Sequence, residues 1–407
     1  MSLKKLNSSL VKAVQQLHEE GRAKDPERII VDYIPPRDEW GPRYKLKQSD
    51  QEYIRLNSNS YLSLSNHPEL IHAADAATEK YGVGPGAVRF IDGTFQPHVE
   101  LEESLAKFTG KPACKIFNSA YTANLGLALT INHEKTYWVG DALNHNSIIR
   151  AMRIAKVPSA NKGIYAHNDM DALREEMENI PADMERIIVI FDGIFSMRGD
   201  FAPIDEIKEI VEPYNEQFKD GVITVVDDSH GVAAYGESGR GTPEHAGAIP
   251  DIIVGTMGKA LGVNGGFIAG SEELIEAVRQ MADTYIYTNP LSQADCAAAI
   301  KAVEIVDSQE GQQRLQHTRE RAKQFRNGLE SMGFESIPGP HPIIPLVVRD
   351  TQKTKNMVNR LFEKGVLVVG LTFPVVPKGD ETLRFQINAA HTEADINYVL
   401  DVLSEFK

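Results

Sequence analysis

Val222-Ile223-Thr224-Val225-Val226-Asp227-Asp228-Ser229-His230-Gly231 is a short β-branched run that ends abruptly in charge, a ring and a glycine. Runs of this kind, too short for a helix and apolar without alternation, read as strands buried on both faces of a sheet. Residues 115–117, 136–139 and 186–191 upstream and 251–254 downstream have the same character. Between them lie stretches of helical period. In one, over 98–109, Leu101, Leu105 and Phe108 fall on one face and Gly110 marks the stop. Strand and helix in alternation predict an α/β fold, a mostly parallel sheet covered by helices.

Outward from that centre the pattern changes. From about Ser308 it runs as a long polar helix, a strand at 342–348, and a helix through Val358, Leu361 and Phe362 stopped by Gly365. A strand at 383–387 and a last helix carrying Ile396, Val399 and Leu403 complete it. This α+β order predicts a small carboxy-terminal domain at 301–407 behind a large domain at 59–300. Residues 1–58 read as an amino-terminal helix, with Leu10, Val14 and Leu17 as a docking stripe, then an extended arm over 30–51 marked by Pro35, Pro36 and Pro42. The first 28 residues have no continuous apolar stretch, so they read as neither signal peptide nor membrane span.

The formal net charge of −14 over 407 residues repels nucleic acid and anionic lipid, and no Lys/Arg run offsets it locally. Cys114 and Cys296, two cysteines without CxxC spacing, argue against a disulfide framework or thiolate metal site and fit a reducing compartment, the cytoplasm.

Open α/β sheets bind ligands beyond the carboxyl ends of their strands, so the residues that follow each run matter. They are Asn118-Ser119-Ala120-Tyr121-Thr122-Ala123-Asn124, Asp141-Ala142-Leu143-Asn144-His145-Asn146-Ser147, Asp192-Gly193-Ile194-Phe195-Ser196, Asp227-Asp228-Ser229-His230-Gly231 and Gly255-Thr256-Met257-Gly258-Lys259. The chemistry of pyridoxal phosphate (PLP) needs this set of residue types: an amine for its aldehyde, a carboxylate for its pyridinium, a ring to stack on it and donors for its phosphate. Lys259 is the candidate amine, Asp227 the carboxylate, His145 the stacking ring and His230 the donor to the phenolic oxygen. Thr256 and the Ala120/Tyr121 backbone form the phosphate cradle, at a helix start suited to anions. A competing reading takes Asp227, Asp228 and His230 as metal ligands of a hydrolase; a second takes the chain as an inactive binding homologue.

The runs Asp227-Asp228-Ser229-His230-Gly231, Ser238-Gly239-Arg240-Gly241 and Thr256-Met257-Gly258-Lys259-Ala260-Leu261-Gly262 closely resemble the α-oxoamine synthase family of fold-type-I PLP enzymes, over nearly the whole chain. Asn59-Ser60-Tyr61-Leu62, Asp141–His145 and Phe195-Ser196-Met197-Arg198-Gly199-Asp200 also match. The resemblance implies that Ser196 contacts PLP and that Asn59 and Arg384 hold the substrate carboxylate. It also implies that Thr288 reaches the phosphate of a neighbouring subunit, in a homodimer with shared active sites that joins an amino acid to an acyl-CoA. Val88-Arg89-Phe90-Ile91-Asp92-Gly93-Thr94, Pro374-Val375-Val376-Pro377-Lys378-Gly379 and Ala389-Ala390-His391-Thr392 look most like the branch using glycine and acetyl-CoA. The rival branches use alanine with a pimeloyl group or serine with a long acyl chain. Ser119-Ala120-Tyr121, the short Gly262-Val263-Asn264-Gly265-Gly266 and the inserted arm at 34–48 depart from the glycine pattern.

Overall fold

The computed structural model describes residues 2–407, whose strands are numbered here in chain order. First come β1 (Ile30–Ile34), β2 (Arg43–Leu46) and β3 (Glu52–Arg55). Next are β4 (Ala113–Phe117), β5 (Thr136–Asp141), β6 (Lys162–Tyr165), β7 (Arg186–Asp192), β8 (Val222–Asp227), β9 (Ile252–Thr256) and β10 (Gly266–Gly270). Last are β11 (Ile343–Val347), β12 (Val366–Leu367), β13 (Val369–Leu371) and β14 (Thr382–Gln386). They divide between two compact units. One is Asn59–Thr318; the other combines the residues up to Ser58 with Arg319–Lys407.

The larger unit is built on a sheet of order β4-β10-β9-β8-β7-β5-β6. Strands β5 to β9 run parallel, while β10 runs antiparallel between β4 and β9. The expected strands are present, extended by a residue or two. Two were not expected. β6 carries Ile164 at 68 % exposure, too wet to look apolar, and β10 reads Gly-Phe-Ile-Ala-Gly, which resembles a turn. Trp138, Ile188, Ile190, Val225, Val254 and Ile268 pack from the sheet against Ala123, Leu127, Ile148, Ile275 and Val278 of the covering helices. Each large side chain so buried contributes roughly 1.5–3 kcal/mol.

In the smaller unit the proline-rich arm is not a bare connector, as its sequence suggested. β1, β2 and β3 form an antiparallel meander, and β12 adds parallel to β3 through Val366↔Ile54 and Leu367↔Arg55. The prolines fall in the β1–β2 connection, where no ladder N–H is needed. Residues 1–58 therefore belong with the carboxy-terminal unit rather than standing apart. The boundary also lies at 318 rather than 300, inside the helix Gln309–Ser331, so no loop marks it. A second sheet, β11-β14-β13, packs with the helices Thr351–Glu363 and Glu393–Ser404 around Phe325, Phe385, Leu361, Ile396 and Leu403. On the helix Ser2–Glu19, Leu10, Val14 and Leu17 lie 53 %, 52 % and 38 % exposed, so the expected docking stripe is not covered by its own chain. Among the described residues no helix is long and apolar enough to cross a membrane.

Candidate active site

The carboxyl ends of β7 and β8 sit in register, Asp192 beside Asp227. Asp227 is buried and doubly held: Asn124 Nδ2 donates to its Oδ2 at 2.7 Å and the Ser229 N–H to its Oδ1 at 3.1 Å. Asn124 lies on the helix Ala120–Ile131, and its Nδ2 also stands 3.0 Å from Ser147 Oγ, which is 2.7 Å from His145 Nδ1. A continuous polar path thus joins the Asp227 carboxylate to the His145 ring. His145 begins the helix Asn146–Ile154 as its cap, and burial pushes its pKa down, with Lys259 adding to the effect and Asp227 opposing it. A neutral, flat ring results.

Asp192 holds the backbone of His145. The His145 N–H donates to Asp192 Oδ2 at 3.0 Å, and Asn144 Oδ1 accepts the Asp192 N–H at 3.0 Å. Burial raises the Asp192 carboxyl well above the usual range, and Asp227 raises it further. Lys259 follows β9 in a tight turn closed by Gly262 N–H to Lys259 O at 3.0 Å and Val263 N–H to Met257 O at 3.0 Å. Gly262 holds φ +73, and a Cβ there would strike Ser65 N at 2.6 Å. The Lys259 charge is felt at His145, Asp192 and Asp228, so the turn brings the amine to the same strand ends.

The remaining candidates divide. His230 Nδ1 pairs with the Tyr61 hydroxyl at 2.7 Å, and Tyr61 is fully buried. Asp228 faces elsewhere: its carboxylate takes the Thr242 hydroxyl at 2.5 Å and the Thr242 N–H at 3.0 Å. Among the described residues no group of three His, Cys, Asp or Glu is placed to hold a metal, which leaves the hydrolase reading without a ligand set. The Thr256 hydroxyl donates to Gly265 O at 3.0 Å. Ala120 and Tyr121 open their helix behind the Ser119 cap, and Gly266 of β10 lies so close that a Cβ would sit 2.1 Å from Ala120 N. Asn118, just before that helix, donates to Thr288 Oγ1 at 3.3 Å. Ser196 lies in the hairpin that follows β7, and Asn59 accepts from Tyr61 Oη at 3.5 Å. Arg384 lies on β14 of the smaller unit, opposite Pro345 and Val369. Asn124, Ser147 and Tyr61 were not singled out from sequence; the one available signal was a polar amide, Asn124, on an otherwise apolar helix face.

This donor set fits PLP. It offers an amine, a carboxylate already shaped as an acceptor, a neutral ring, and helix-start N–H groups that their own helix cannot satisfy. Ser229 Oγ and Asp192 Oδ1, both buried, have no protein partner among the described residues, so polar capacity remains at these strand ends.

Comparison with known proteins agrees. The family model for aminotransferase class I and II matches residues 51–403. An 8-amino-7-oxononanoate synthase of Thermosipho melanesiensis is 39 % identical over 353 residues, 86 % of this chain and 87 % of that one. A 2-amino-3-ketobutyrate coenzyme A ligase of Salmonella typhimurium is 37 % identical over 355 residues, 86 % of each chain. A serine palmitoyltransferase variant from S. paucimobilis, solved with bound PLP–myriocin, superposes with a TM-score of 0.84 at 27 % identity, covering 98 % of this chain and 96 % of that one. The chain belongs to the aminotransferase class I and II family, and within it to the α-oxoamine synthases, PLP-dependent enzymes of acyl transfer.

Proposed function

We propose that this enzyme is a glycine C-acetyltransferase, interconverting glycine plus acetyl-CoA with 2-amino-3-ketobutyrate plus CoA. The observation that carries the chemistry is the hydrogen-bonded path from Asp227 through Asn124 and Ser147 to His145, beside Lys259. The choice of glycine rests on residues 88–94, 374–379 and 389–392. The 37 % identity to the Salmonella ligase is compatible with it. A second reading, 8-amino-7-oxononanoate synthesis from alanine and a pimeloyl thioester, is favoured by the 39 % relative.

PLP, when bound, supplies an aldehyde for amines and a ring that withdraws electrons from the substrate α-carbon. In this reading Lys259 would hold the cofactor through its amine, and that amine would move the proton at the substrate α-carbon. Asp227 would accept the pyridine N–H and keep a proton there. His145 would offer its ring to the cofactor's face. The Tyr61 hydroxyl engages His230 Nδ1, so His230 would meet the phenolic oxygen through Nε2. Ser196 adds a contact, while Thr256 and the Ala120 and Tyr121 N–H groups hold the phosphate. Arg384 grips the substrate carboxylate through its fork, with Asn59.

Thr288 serves the phosphate of the second subunit of a cytoplasmic homodimer. Val83, Phe90, Ile91 and Tyr287 are 81 %, 60 %, 56 % and 74 % exposed, apolar surface of the kind a subunit interface covers. Two measurements test the reading. Borohydride reduction of the holoenzyme should fix PLP on the Lys259 peptide by mass spectrometry and leave Lys259→Ala unlabelled. Steady-state turnover should be highest with glycine and acetyl-CoA; faster turnover of alanine with pimeloyl-CoA, or of serine with palmitoyl-CoA, replaces the substrate assignment.

A further inference from the structure

We propose that His167, which the mechanism does not use, is a positioning residue that clamps the loop carrying His145 to the hairpin carrying Ser196, making one wall of the cofactor site. The inference rests on the reading of those two residues as cofactor contacts. His167 follows β6 and reaches both loops at once. Its Nδ1 lies 3.0 and 3.2 Å from the two carboxylate oxygens of Asp141, the last residue of β5. Its Nε2 lies 3.1 Å from Asp200 Oδ2.

Each carboxylate is built into the loop it governs. Asp141 accepts the Leu143 N–H at 2.7 Å and the Asn168 N–H at 2.9 Å, which shapes the turn leading to His145. Asp200 closes the hairpin around Ser196: the Phe195 N–H donates to its carbonyl at 3.0 Å, and Arg198 Nε donates to its Oδ2 at 2.8 Å. The His167 ring meets Phe195 edge-on at 4.4 Å, and Asn168 Nδ2 ties to Phe201 O at 3.0 Å. Both ring nitrogens therefore face carboxylates, and only the doubly protonated ring donates to both. A neutral ring would set a lone pair against one of them.

The charge state follows from this geometry. Burial of the ring opposes its charge, but the hydrogen bonds and charges of Asp141 and Asp200 outweigh it and push the pKa up to about 9. Arg198 Nε shares Asp200 Oδ2 with His167 Nε2, and the buried Tyr165 and Asp192 share the interior with Asp141. The clamp is closed at neutral pH and opens when His167 loses its proton.

The test follows PLP release from the holoenzyme between pH 7 and 10.5, by the visible absorbance and circular dichroism of the bound cofactor. The wild-type enzyme should hold PLP to about pH 9 and release it roughly tenfold faster above it. His167→Gln should release PLP about tenfold faster at pH 7.5, with an altered dichroism band and no step near pH 9. Asp200→Asn, which keeps the ring but removes one carboxylate, should move the step down by about one pH unit. Melting curves report whether each variant is folded, and if His167→Gln is not, the Asp200→Asn step decides. Unchanged release, dichroism and pH step in a folded His167→Gln, or an unmoved step in Asp200→Asn, overturns the clamp. Failure of borohydride to label Lys259 in the wild-type enzyme overturns instead the cofactor assignment beneath it.

Discussion

Asp227 and Asp228 are neighbours in sequence with opposite fates, because successive residues at a strand end point to opposite sides. Asp227 joins Asn124 and Ser229, whereas Asp228 turns to Thr242. That alternation is legible in the order of residues alone; which side faces the site is not. Lys259, Asp227, His145 and His230 could be found because they follow apolar runs. Asn124 and Tyr61 stand in motif-bearing stretches without a legible role, because their partners Asp227 and His230 are distant along the chain. Replacing Asn124 by Ala removes a donor from a buried carboxylate and breaks the path to His145. Stability should fall by about 1–3 kcal/mol in urea denaturation, and PLP should bind more weakly in fluorescence titration. For His167, the folded pKa of about 9 lies above the ordinary 6.5. Its stabilisation, on the order of 3 kcal/mol, is therefore complete below pH 6.5 and lost as pH rises through 9. Urea denaturation at pH 6, 7.5 and 9.5 should show this decline in the wild type and not in His167→Gln.

Among the elements, β10 shows where sequence patterns stop informing. Five small or apolar residues bounded by glycines look like a turn, yet the segment is a fully buried antiparallel strand between β4 and β9. Gly266 is there because the start of the helix Ala120–Ile131 comes so near, whereas Gly270 faces the Leu274 side chain. Gly266→Ala would set a methyl 2.1 Å from Ala120 N and 2.3 Å from Ser119 C, backbone atoms that no rotamer change relieves. A loss of about 1–3 kcal/mol is expected, together with weaker PLP retention as the helix start shifts. Gly84, where a Cβ would meet nothing within 4 Å, is the control, and Gly84→Ala should melt close to the wild type. The meander β1–β3 escaped notice for a related reason. Its strands are only four or five residues long and half-exposed, so proline and charge dominated their reading.

At the scale of the whole molecule, the α/β class, the covered sheet and the α+β tail followed from periodicity, since burial on two faces leaves a strong mark in composition. The division into units did not, because it depends on a pairing between distant segments that no local pattern records. The proposed homodimer is tested by analytical ultracentrifugation, which should show a single species of twice the 45.1 kDa chain mass at micromolar concentration; a persistent monomer would remove the shared site and the Thr288 role with it. The parallel pairing of β3 with β12 also bears on biosynthesis. The ribosome releases the meander long before Val366 exists, so it waits with an open edge while Asn59–Thr318, contiguous in the message, is completed. A transcript truncated after Thr318 would yield that body with an orphaned, adhesive leader, a natural client for chaperones and proteases.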